Sequence, residues 1–497
     1  GSLNYFLPEG NYWSRMYYTP YRFTTYLQDK MEFEGFIASI GLNAELISPN
    51  TSWYKVDPYD ESFYSSSYSQ ATEESFEKED VKARLYLSPR LAISHPITIN
   101  SKLYFNYGHY RQVPTTESLF RVQRKVVLNG DREIEDLTQL STIGDPNLDQ
   151  ARTISYELGY DHALFDTYLL HLAAYYKDIT DQQDWTRYIS ASGQVNYSHL
   201  TANSYEDIRG FEADISKMVG DWITGNINFE YRVNTSGYFG VKRYYQNPSE
   251  QRDYLKNNSV QSKPRPTPRV KSVVDFHTPR NFGPTIFSQK PLAEWHINIL
   301  SSWRAGSWFG YNPRGIEGIG YNFRWQDSRS VDLKISKIFK AGNMSIKFFA
   351  DINNALNLKT FSGYGFEDIH DYDFYLGSLL LPQDKLEAIG EAIFPGIEHN
   401  DNPGDVRPDD VAFVPIEWIA DIEKLSADSR SERGIYYDAA TETYLQFDHN
   451  SGWEEVESSY LDEVVDSKAY IDMPNQGSFI FLSPQDIFLG LNISYDF

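Results

Sequence analysis

Residues 224–234 read Thr-Gly-Asn-Ile-Asn-Phe-Glu-Tyr-Arg-Val-Asn, and every second position carries a small or apolar side chain. Successive side chains of a β-strand point to opposite faces, so this alternation predicts a strand with one apolar face and one polar face. The segment is also longer than the five or six residues that are common for strands of soluble sheets. A strand of this length and pattern suits a wall that separates an apolar environment from a wet one.

The same alternation recurs along the whole chain and predicts about 13 strands. They lie at 24–34, 36–47, 83–97, 99–112, 151–164, 167–181, 205–218, 221–234, 268–278, 292–305, 329–341, 344–356 and 488–497. Tight turns such as Glu34-Gly35 and Phe165-Asp166 alternate with loops of about 23 to about 130 residues. Short turns on one rim and long loops on the other are typical of an outer-membrane barrel. We therefore predict an all-β fold, an antiparallel transmembrane β-barrel, with the long loops extracellular.

The composition is rich in aromatic residues but hydrophilic overall, with 38 Tyr, 30 Phe and 10 Trp and a net charge of −24. The absence of cysteine excludes disulfides, thiolate-ligated metals and a thiol nucleophile. There is no run of 18 apolar residues, so we expect no transmembrane helix. The negative balance argues against nucleic acid as a partner, because phosphate binding needs clustered Lys and Arg.

The charge is concentrated in one region. Residues 361–470 hold 26 acidic and six basic side chains and therefore carry −20 of the −24. The rest of the chain is close to neutral, as a wall that faces lipid requires. We predict four parts: the end of an extracellular loop at 1–23, strands and long loops at 24–356, an acidic extracellular insertion at 357–487, and a C-terminal strand at 488–497.

Several ordered motifs carry a resemblance to a known family. They are Ser88-Pro-Arg-Leu, Tyr104-Phe-Asn-Tyr-Gly, Gly144-Asp-Pro-Asn-Leu, Tyr175-Tyr-Lys-Asp-Ile, Arg209-Gly-Phe-Glu-Ala and the terminal strand. In their order and spacing the chain resembles the C-terminal barrel of TonB-dependent outer-membrane receptors, particularly those of Bacteroidetes-like bacteria. The resemblance implies a 22-stranded barrel with an N-terminal plug, which imports scarce nutrients with energy from the inner-membrane TonB complex.

The chain departs from that family pattern because it shows neither a TonB box nor a plug domain, and it has room for only about 13 of 22 strands. Open strand edges in lipid leave peptide N–H and C=O groups without hydrogen bonds, and each such group costs several kcal/mol of free energy. We therefore expect the plug and the remaining strands to come from a longer receptor or from a second chain. That part would contact the TonB complex, and outer-membrane lipids would surround the wall. The terminal aromatics Tyr495 and Phe497 are expected to act as the barrel-assembly signal.

Binding in such a receptor is expected at the extracellular mouth, through aromatic side chains of the loops. The candidate ligand contacts are Trp185, Tyr188, Tyr244, Tyr245, Trp308, Tyr311, Tyr321 and Trp325. An aromatic girdle at the lipid headgroups, or packing among the loops, is the alternative role for these residues. We find no catalytic motif, so we predict no enzyme. The histidines His95, His171 and His296 lie on or beside strands and are expected to be polar strand groups rather than metal ligands.

The acidic insertion is too long for a structureless loop, so we expect a compact domain. The sequence pattern predicts short amphipathic helices at 382–393 and 416–425 and a hairpin at 434–456. Four carboxylates, Asp401, Asp405, Asp409 and Asp410, could hold Ca²⁺ through oxygen ligands, with a solvated acidic turn as the alternative. The acidity could attract a cationic ligand, dock a surface lipoprotein or keep the domain soluble.

The function predicted from these features is import of a scarce nutrient, either a siderophore, a peptide, a glycan or a cofactor. The regional charge of −20 favours a peptide, a glycan or a cationic ligand over an anionic siderophore. Two other functions stay open at this point. One is a soluble or surface β-protein that binds or hydrolyses glycans with aromatic platforms and a carboxylate pair. The other is an outer-membrane barrel scaffold without transport.

Overall fold

A computed structural model of the chain describes residues 17–69, 75–128, 134–258, 260–286, 289–316, 319–359, 366, 369–408, 410–472 and 484–495. Thirteen long strands run through these described residues, and each of them overlaps one predicted strand. They are β1 (Tyr21–Phe33), β2 (Phe36–Ser48), β3 (Arg84–Thr98), β4 (Ser101–Gln112), β5 (Ala151–Leu164), β6 (Tyr168–Ile189), β7 (Asn196–Lys217), β8 (Ile223–Tyr238), β9 (Arg269–His277), β10 (Trp295–Arg304), β11 (Ser328–Ala341), β12 (Met344–Asn353) and β13 (Asp486–Tyr495). The prediction of an all-β fold with long strands is confirmed.

The chain divides into two compact units. Unit one comprises residues 1–215 and 229–266. In it, β1 to β6 pair consecutively and antiparallel, from Phe33 opposite Phe36 at the first tight turn to Leu164 opposite Tyr168 at the last. Strand β4 pairs with β5 across the long loop 113–150, because Gln112 lies opposite Ala151. The alternation of tight turns and long loops thus produces neighbouring strands, as expected for an up-and-down sheet.

Unit two comprises residues 216–228 and 267–497. Its strands β9 to β13 also pair consecutively and antiparallel. The tight turn after Ala341 leads directly to its partner Met344, whereas the whole acidic insertion lies between Asn353 and its partner Asp486. We call the end of each unit that carries the tight turns the short-turn rim, and the opposite end the long-loop rim.

The apolar face of the strands is exposed rather than packed. On β13, Ile487, Leu489, Leu491 and Ile493 lie on one face and are 53% to 73% exposed, although the other face of this strand is exposed as well. Strands β2 and β3 show the same exposure, with Ile40, Leu42, Leu85 and Leu87 at 44% to 64%. A soluble protein rarely exposes a continuous apolar stripe of this kind, whereas the outer face of a membrane barrel requires it. None of the helices in the described part of the chain is long and apolar enough to span a lipid bilayer.

Most of the buried apolar side chains belong to the long-loop rim of each unit. In unit one a cluster around Phe63, Phe120 and Leu140 joins the loops 49–83 and 113–150. In unit two a cluster around Tyr375, Leu381 and Ile435 forms the core of the insertion. The insertion therefore has the compact core that its length predicts.

Short elements build these loops. The helices are α1 (Glu61–Tyr64), α2 (Thr116–Phe120), α3 (Pro248–Asn257), α4 (Ile369–Gly377), α5 (Gln383–Ala388) and α6 (Ser458–Asp466), with single 3₁₀ turns at Ile422–Lys424 and Ala427–Ser429. The other strands are Ser52–Tyr54, Lys78–Asp80, Val122–Leu128, Ile134–Ile143, Arg243–Tyr245, Arg265–Pro266, Trp308–Phe309, Phe323–Arg324, Ile416–Ile419, Ile435–Asp438, Thr443–Asp448 and Gly452–Glu455. With 10 residues, Ile134–Ile143 is as long as several of the thirteen strands above, although the sequence predicts a loop at its position. Each long loop therefore carries local structure.

The insertion confirms two local predictions and corrects a third. A helix begins at Gln383, and Ile435–Asp438 pairs with Thr443–Asp448 as the predicted hairpin. The helix predicted at 416–425 is wrong, because Ile416–Ile419 is a strand that pairs in parallel with Ile435–Asp438. The backbone N–H and C=O groups of a short apolar segment can be hydrogen-bonded by a strand from elsewhere in the chain as well as within a helix. The local sequence pattern does not show that such a partner strand is present.

The loop predicted after Thr180 is also much shorter than expected. Strand β6 continues to Ile189 and β7 begins at Asn196, so this connection at the long-loop rim is reduced to a short turn over 190–195, with Gly193 at φ +73°. The nitrogen of Ser190 donates to the Val195 carbonyl at 3.0 Å and closes this turn. Trp185 and Tyr188 therefore lie on an extension of β6 and not in a loop.

Candidate ligand-binding site

The eight predicted aromatic contacts fall into two groups, one in each unit. The group in unit one is held by strand pairing, since Tyr188 lies opposite Tyr244 and Ile189 opposite Tyr245 in a parallel register. The rings of Tyr188 and Tyr244 stack with centroids 5.2 Å apart, and Tyr188 stacks in turn on Tyr197 at 5.5 Å.

Further contacts tie this first group to the loop core of unit one. Tyr197 stacks on the buried Tyr64 at 4.0 Å, so Tyr64, Tyr197, Tyr188 and Tyr244 form a row of four rings, which we call the tyrosine stack. Trp185 lies beneath the guanidinium of Arg121 at 5.9 Å. Tyr245 contacts Tyr254 of α3 at 5.8 Å. These contacts give the group a packing role, which is the alternative that the sequence already offers.

The second group lies in the loop 305–327 of unit two, between β10 and β11. Tyr311 is 8% exposed and belongs to the core of the insertion. Trp325 packs its ring parallel to Tyr372 at 6.4 Å, whereas Trp308 and Tyr321 are exposed. Burial raises the pKa of Tyr311 to about 12 and that of Tyr372 to about 12, so both are neutral near pH 7.

A cavity of about 510 Å³ opens between this loop and the insertion, and we call it the Trp308 cavity. Its volume lies in the range of small-molecule sites. Its lining comprises Trp308, Asn322, Phe323, Arg324, Trp325, Gln326, Asp327, Arg329, Leu358, Lys359, Pro382, Lys385, Asp401, Asn402, Pro403 and Asp405. Two of the eight predicted contacts, Trp308 and Trp325, therefore meet at one site.

Backbone hydrogen bonds fix the walls of the Trp308 cavity. The nitrogen of Trp325 donates to the Ser307 carbonyl at 2.8 Å, and that of Gln326 donates to the Pro403 carbonyl at 2.7 Å. Asp327 accepts from the indole nitrogen of Trp303 at 3.1 Å and from the Gly306 nitrogen at 3.0 Å. The loop is thereby tied both to the insertion and to itself, so that the indole of Trp325 has a defined position.

A lysine side chain lies at the acidic run for which the sequence predicts a cation site. The ammonium of Lys468 lies 2.6 Å from Asp401 and 2.7 Å from Asp405, and Asp401 is fully buried. Asp410 is exposed, and Asp409 lies outside the described residues. An internal ion pair therefore stands where two of the four proposed Ca²⁺ ligands meet.

Four basic side chains of the Trp308 cavity are not predicted by the sequence. They are Arg324, Arg329, Lys359 and Lys385, which come from the 305–327 loop, the start of β11, the segment after β12 and helix α5. No spacing in the sequence connects them, because only the folded insertion brings these segments together. The cavity lining therefore holds four basic side chains against three acidic ones, Asp327, Asp401 and Asp405.

The proposed barrel-assembly residues lie at the end of β13. Tyr495 is 57% exposed and lies opposite Met344 of β12. Phe497 lies outside the described residues, so only the first of the two aromatics has a described position. The exposed ring of Tyr495 extends the apolar stripe of β13 to the short-turn rim.

Solved structures of several import receptors and transporters are similar to this chain. The ferric-catecholate import receptor Fiu from E. coli K12 shares 11% identity at a TM-score of 0.38, over 68% of this chain and 41% of its own. The FrpB iron transporter from Neisseria meningitidis shares 11% identity at a TM-score of 0.41, over 68% of this chain and 42% of its own. BauA, the ferric preacinetobactin receptor from Acinetobacter baumannii, shares 12% identity at a TM-score of 0.36, over 69% of this chain and 40% of its own. The chain thus spans about two fifths of their length.

No curated protein matches the sequence. A family model does: the one described as TonB dependent receptor-like, beta-barrel, matches residues 1–366, well over half of the chain. This family comprises outer-membrane receptors and transporters rather than enzymes, which agrees with the prediction from the sequence. The chain belongs to the TonB-dependent receptor-like β-barrel family.

Proposed function

We propose that this chain forms part of the wall of a bacterial outer-membrane import receptor and that the Trp308 cavity binds the imported nutrient. The long-loop rim is extracellular in this proposal, and the TonB complex supplies the energy through the plug-bearing part that we expect from a longer receptor or from a second chain. Support comes from the exposed apolar stripe of the strands, which suits lipid, and from the position of the cavity among the long loops.

The lining of the cavity carries the proposal about ligand class. Trp308 is 39% exposed and offers an aromatic surface, while the wall adds the basic groups of Arg329, Lys359 and Lys385. Of these three, Lys385 also pairs with its neighbour Asp384 at 3.5 Å, across an exposed contact. The carboxylates of Asp401 and Asp405 are engaged by Lys468, so they contribute less negative potential. We propose an organic anion with a flat or aromatic part as the ligand.

This ligand class differs from the one that the regional charge favours. The net charge of −20 describes the whole segment, whereas a ligand in the cavity interacts mainly with groups within about a Debye length of 8–10 Å. Arg324 is paired with Asp327 at 3.2 Å, yet the basic groups in the lining still outnumber the acidic ones. An anionic siderophore is therefore compatible with the cavity.

The test uses the complete receptor in detergent micelles and follows quenching of tryptophan fluorescence by three probes. They are a naphthalene dicarboxylate, an aromatic bis-amidine and maltotriose, which represent the anionic, cationic and glycan classes. We expect the dicarboxylate to bind most tightly. Arg329→Glu should weaken it about tenfold or more, because a charge-assisted hydrogen bond contributes about 1.5–3 kcal/mol.

A matched control is Lys424→Glu, which changes the same charge on a side chain that is 82% exposed and outside the cavity lining. Its affinity for the dicarboxylate should equal that of the parent. Tighter binding of the bis-amidine or of maltotriose would overturn the proposed ligand class. Equal effects of the two charge changes would overturn the proposed site.

A further inference from the structure

We propose that Asp275, His277 and His296 form a binding site for a divalent transition-metal ion, of the Zn²⁺, Cu²⁺ or Ni²⁺ type. The site lies at the short-turn rim of unit two, where β9 ends and β10 begins. His277 and His296 are direct partners in the antiparallel register, and Asp275 precedes His277 by two residues. Because side chains alternate along a strand, all three belong to the same face of the sheet.

The three side chains converge closely enough to share one ion. Each offers one ligand atom, and these atoms lie within 4.8 Å of one another. Oδ2 of Asp275 is 3.0 Å from Nδ1 of His277 and 3.4 Å from Nδ1 of His296. Ligand atoms around a tetrahedral Zn²⁺ are about 3.4 Å apart, given bonds of about 2.0–2.1 Å. Small side-chain rotations therefore suffice to complete the coordination.

The surroundings orient two of the three ligands. Nε2 of His277 lies 2.9 Å from the Gly220 carbonyl, which can only accept, so this nitrogen carries a proton. In the neutral imidazole the lone pair is then on Nδ1 and faces the Asp275 carboxylate. Asn298 donates to the other carboxylate oxygen at 3.0 Å. A carbonyl behind a ligating histidine and an amide behind a ligating carboxylate are the usual supports of a metal site.

This orientation brings two lone-pair atoms face to face, and a cation between them is needed to make the contact favourable. A proton on Nδ1 would make His277 an imidazolium paired with Asp275, while a metal ion would also engage His296. The second histidine favours the metal ion, because its Nδ1 points to the same carboxylate oxygen and its ring stacks on His277 at 5.6 Å.

The donor set selects the class of ion. Two imidazoles and one carboxylate suit Zn²⁺, Cu²⁺ and Ni²⁺, whereas Ca²⁺ and Mg²⁺ prefer all-oxygen sites. Three protein ligands leave a fourth position for water or for a group from another segment. The side chain of His296 is 42% exposed, which gives an ion a path to the site. Within the described residues, no other group of three such side chains meets the same distance criterion.

The test measures Zn²⁺, Ni²⁺ and Cu²⁺ binding to the complete receptor in detergent micelles by competition with a chromophoric chelator. We expect one equivalent of metal at this site. His277→Gln and His296→Gln should each weaken its binding at least tenfold, and Asn298→Leu should weaken it about tenfold to a hundredfold. Ca²⁺ at the same concentrations should leave the competition unchanged.

The matched control is His171→Gln, which removes a histidine that also pairs with a carboxylate on the strands, Asp161 at 2.6 Å. It should leave metal binding at the parental level. Heat-dependent gel mobility reports whether each variant folds. If His277→Gln does not fold, the more exposed His296→Gln decides, together with the Co²⁺ absorption spectrum of the parent.

The proposal is overturned if His296→Gln binds metal as tightly as the parent, or if the control loses the same equivalent. It is also overturned if the parent binds no metal at all. Loss of the equivalent in the site variants, with retention in the control, supports it.

Discussion

The ammonium nitrogen of Lys468 lies 2.6 Å from Oδ1 of Asp401, a carboxylate with no exposed surface. The second oxygen of Asp401 accepts from the Tyr470 hydroxyl at 2.6 Å and from the Leu380 nitrogen at 2.8 Å. The chain segments before α5 and after α6 are therefore joined through one buried anion. The core of the insertion depends on its neutralisation.

Replacing Lys468 with methionine should destabilise the insertion by about 3–5 kcal/mol, because the change leaves a buried charge without its partner. The measurement is thermal unfolding of the insertion within the complete receptor, followed by limited proteolysis. Lys424→Met is the control, since Lys424 is 82% exposed in its pair with Asp421 and a solvent-screened pair of this kind should contribute little to stability. Similar losses in both variants would contradict the assigned role of Lys468.

The insertion should lose stability in alkaline solution. Burial alone would lower the pKa of Lys468, but hydrogen bonds and charges from Asp401 and Asp405 outweigh it and raise that pKa. Burial, followed by the charge of Asp401, raises the pKa of Tyr470 as well. Both groups bind their protons more tightly in the folded state.

Their stabilising effect is therefore complete at neutral pH and declines as the pH rises beyond the unfolded values of about 10–10.4. Protease resistance of the insertion, measured from about pH 8 to about pH 11, should fall in the upper part of this range. Tyr470→Phe should reduce the dependence on pH. Constant protease resistance over the whole pH range would argue against a stabilising role for the protons of Lys468 and Tyr470.

Gly306→Ala should disrupt the Trp308 cavity. A Cβ at Gly306 would collide with the backbone carbonyl of Trp325. The neighbouring nitrogen of Trp325 donates to the Ser307 carbonyl, so the segment cannot move away without losing that hydrogen bond. We expect a loss of about 1–3 kcal/mol in stability, as for an overpacked site, and weaker binding of the naphthalene dicarboxylate. Gly320→Ala is the control, because nothing lies within 4 Å of its added Cβ. Unchanged binding by the Gly306 variant would show that the loop adapts.

The tyrosine stack predicts a structural role for Tyr188. Tyr188→Ala should cost about 1–3 kcal/mol, because it removes two stacked contacts from a half-buried ring. Hydrogen exchange in the loops of unit one should rise accordingly. Tyr188→Phe keeps the stack and should behave like the parent, so a similar loss in both variants would assign the effect to the hydroxyl group.

The long strands were predictable from the sequence because each has one apolar face and one polar face. The prediction failed where this constraint ends. Residues 180–184, Thr-Asp-Gln-Gln-Asp, carry no apolar alternation, so the predicted strand stops at 181, although β6 continues to Ile189. A strand beyond the lipid can be polar on both faces, and its backbone pairing leaves no period in the side chains.

The sites depend on contacts that no local pattern records. Arg324, Arg329, Lys359 and Lys385 come from separate segments, and they meet only after the insertion has folded. His277 and His296 are separated by a connection of irregular length, so their register could not be deduced from the spacing. Without that register, the sequence predicts only a polar strand group at His296 and does not indicate His277 as its partner.

The pairing of Asn353 with Asp486 gives the acidic insertion the ends of an ordinary hairpin loop. Partner residues in an antiparallel pair have Cα atoms about 5 Å apart, a distance that a turn of a few residues also spans. Closing a longer loop costs only slightly more entropy. Residues 354–485 can therefore be exchanged for another domain, or for a short turn, without shifting the register of β12 and β13. What occupies this connection can thus change independently of the pairing between β12 and β13.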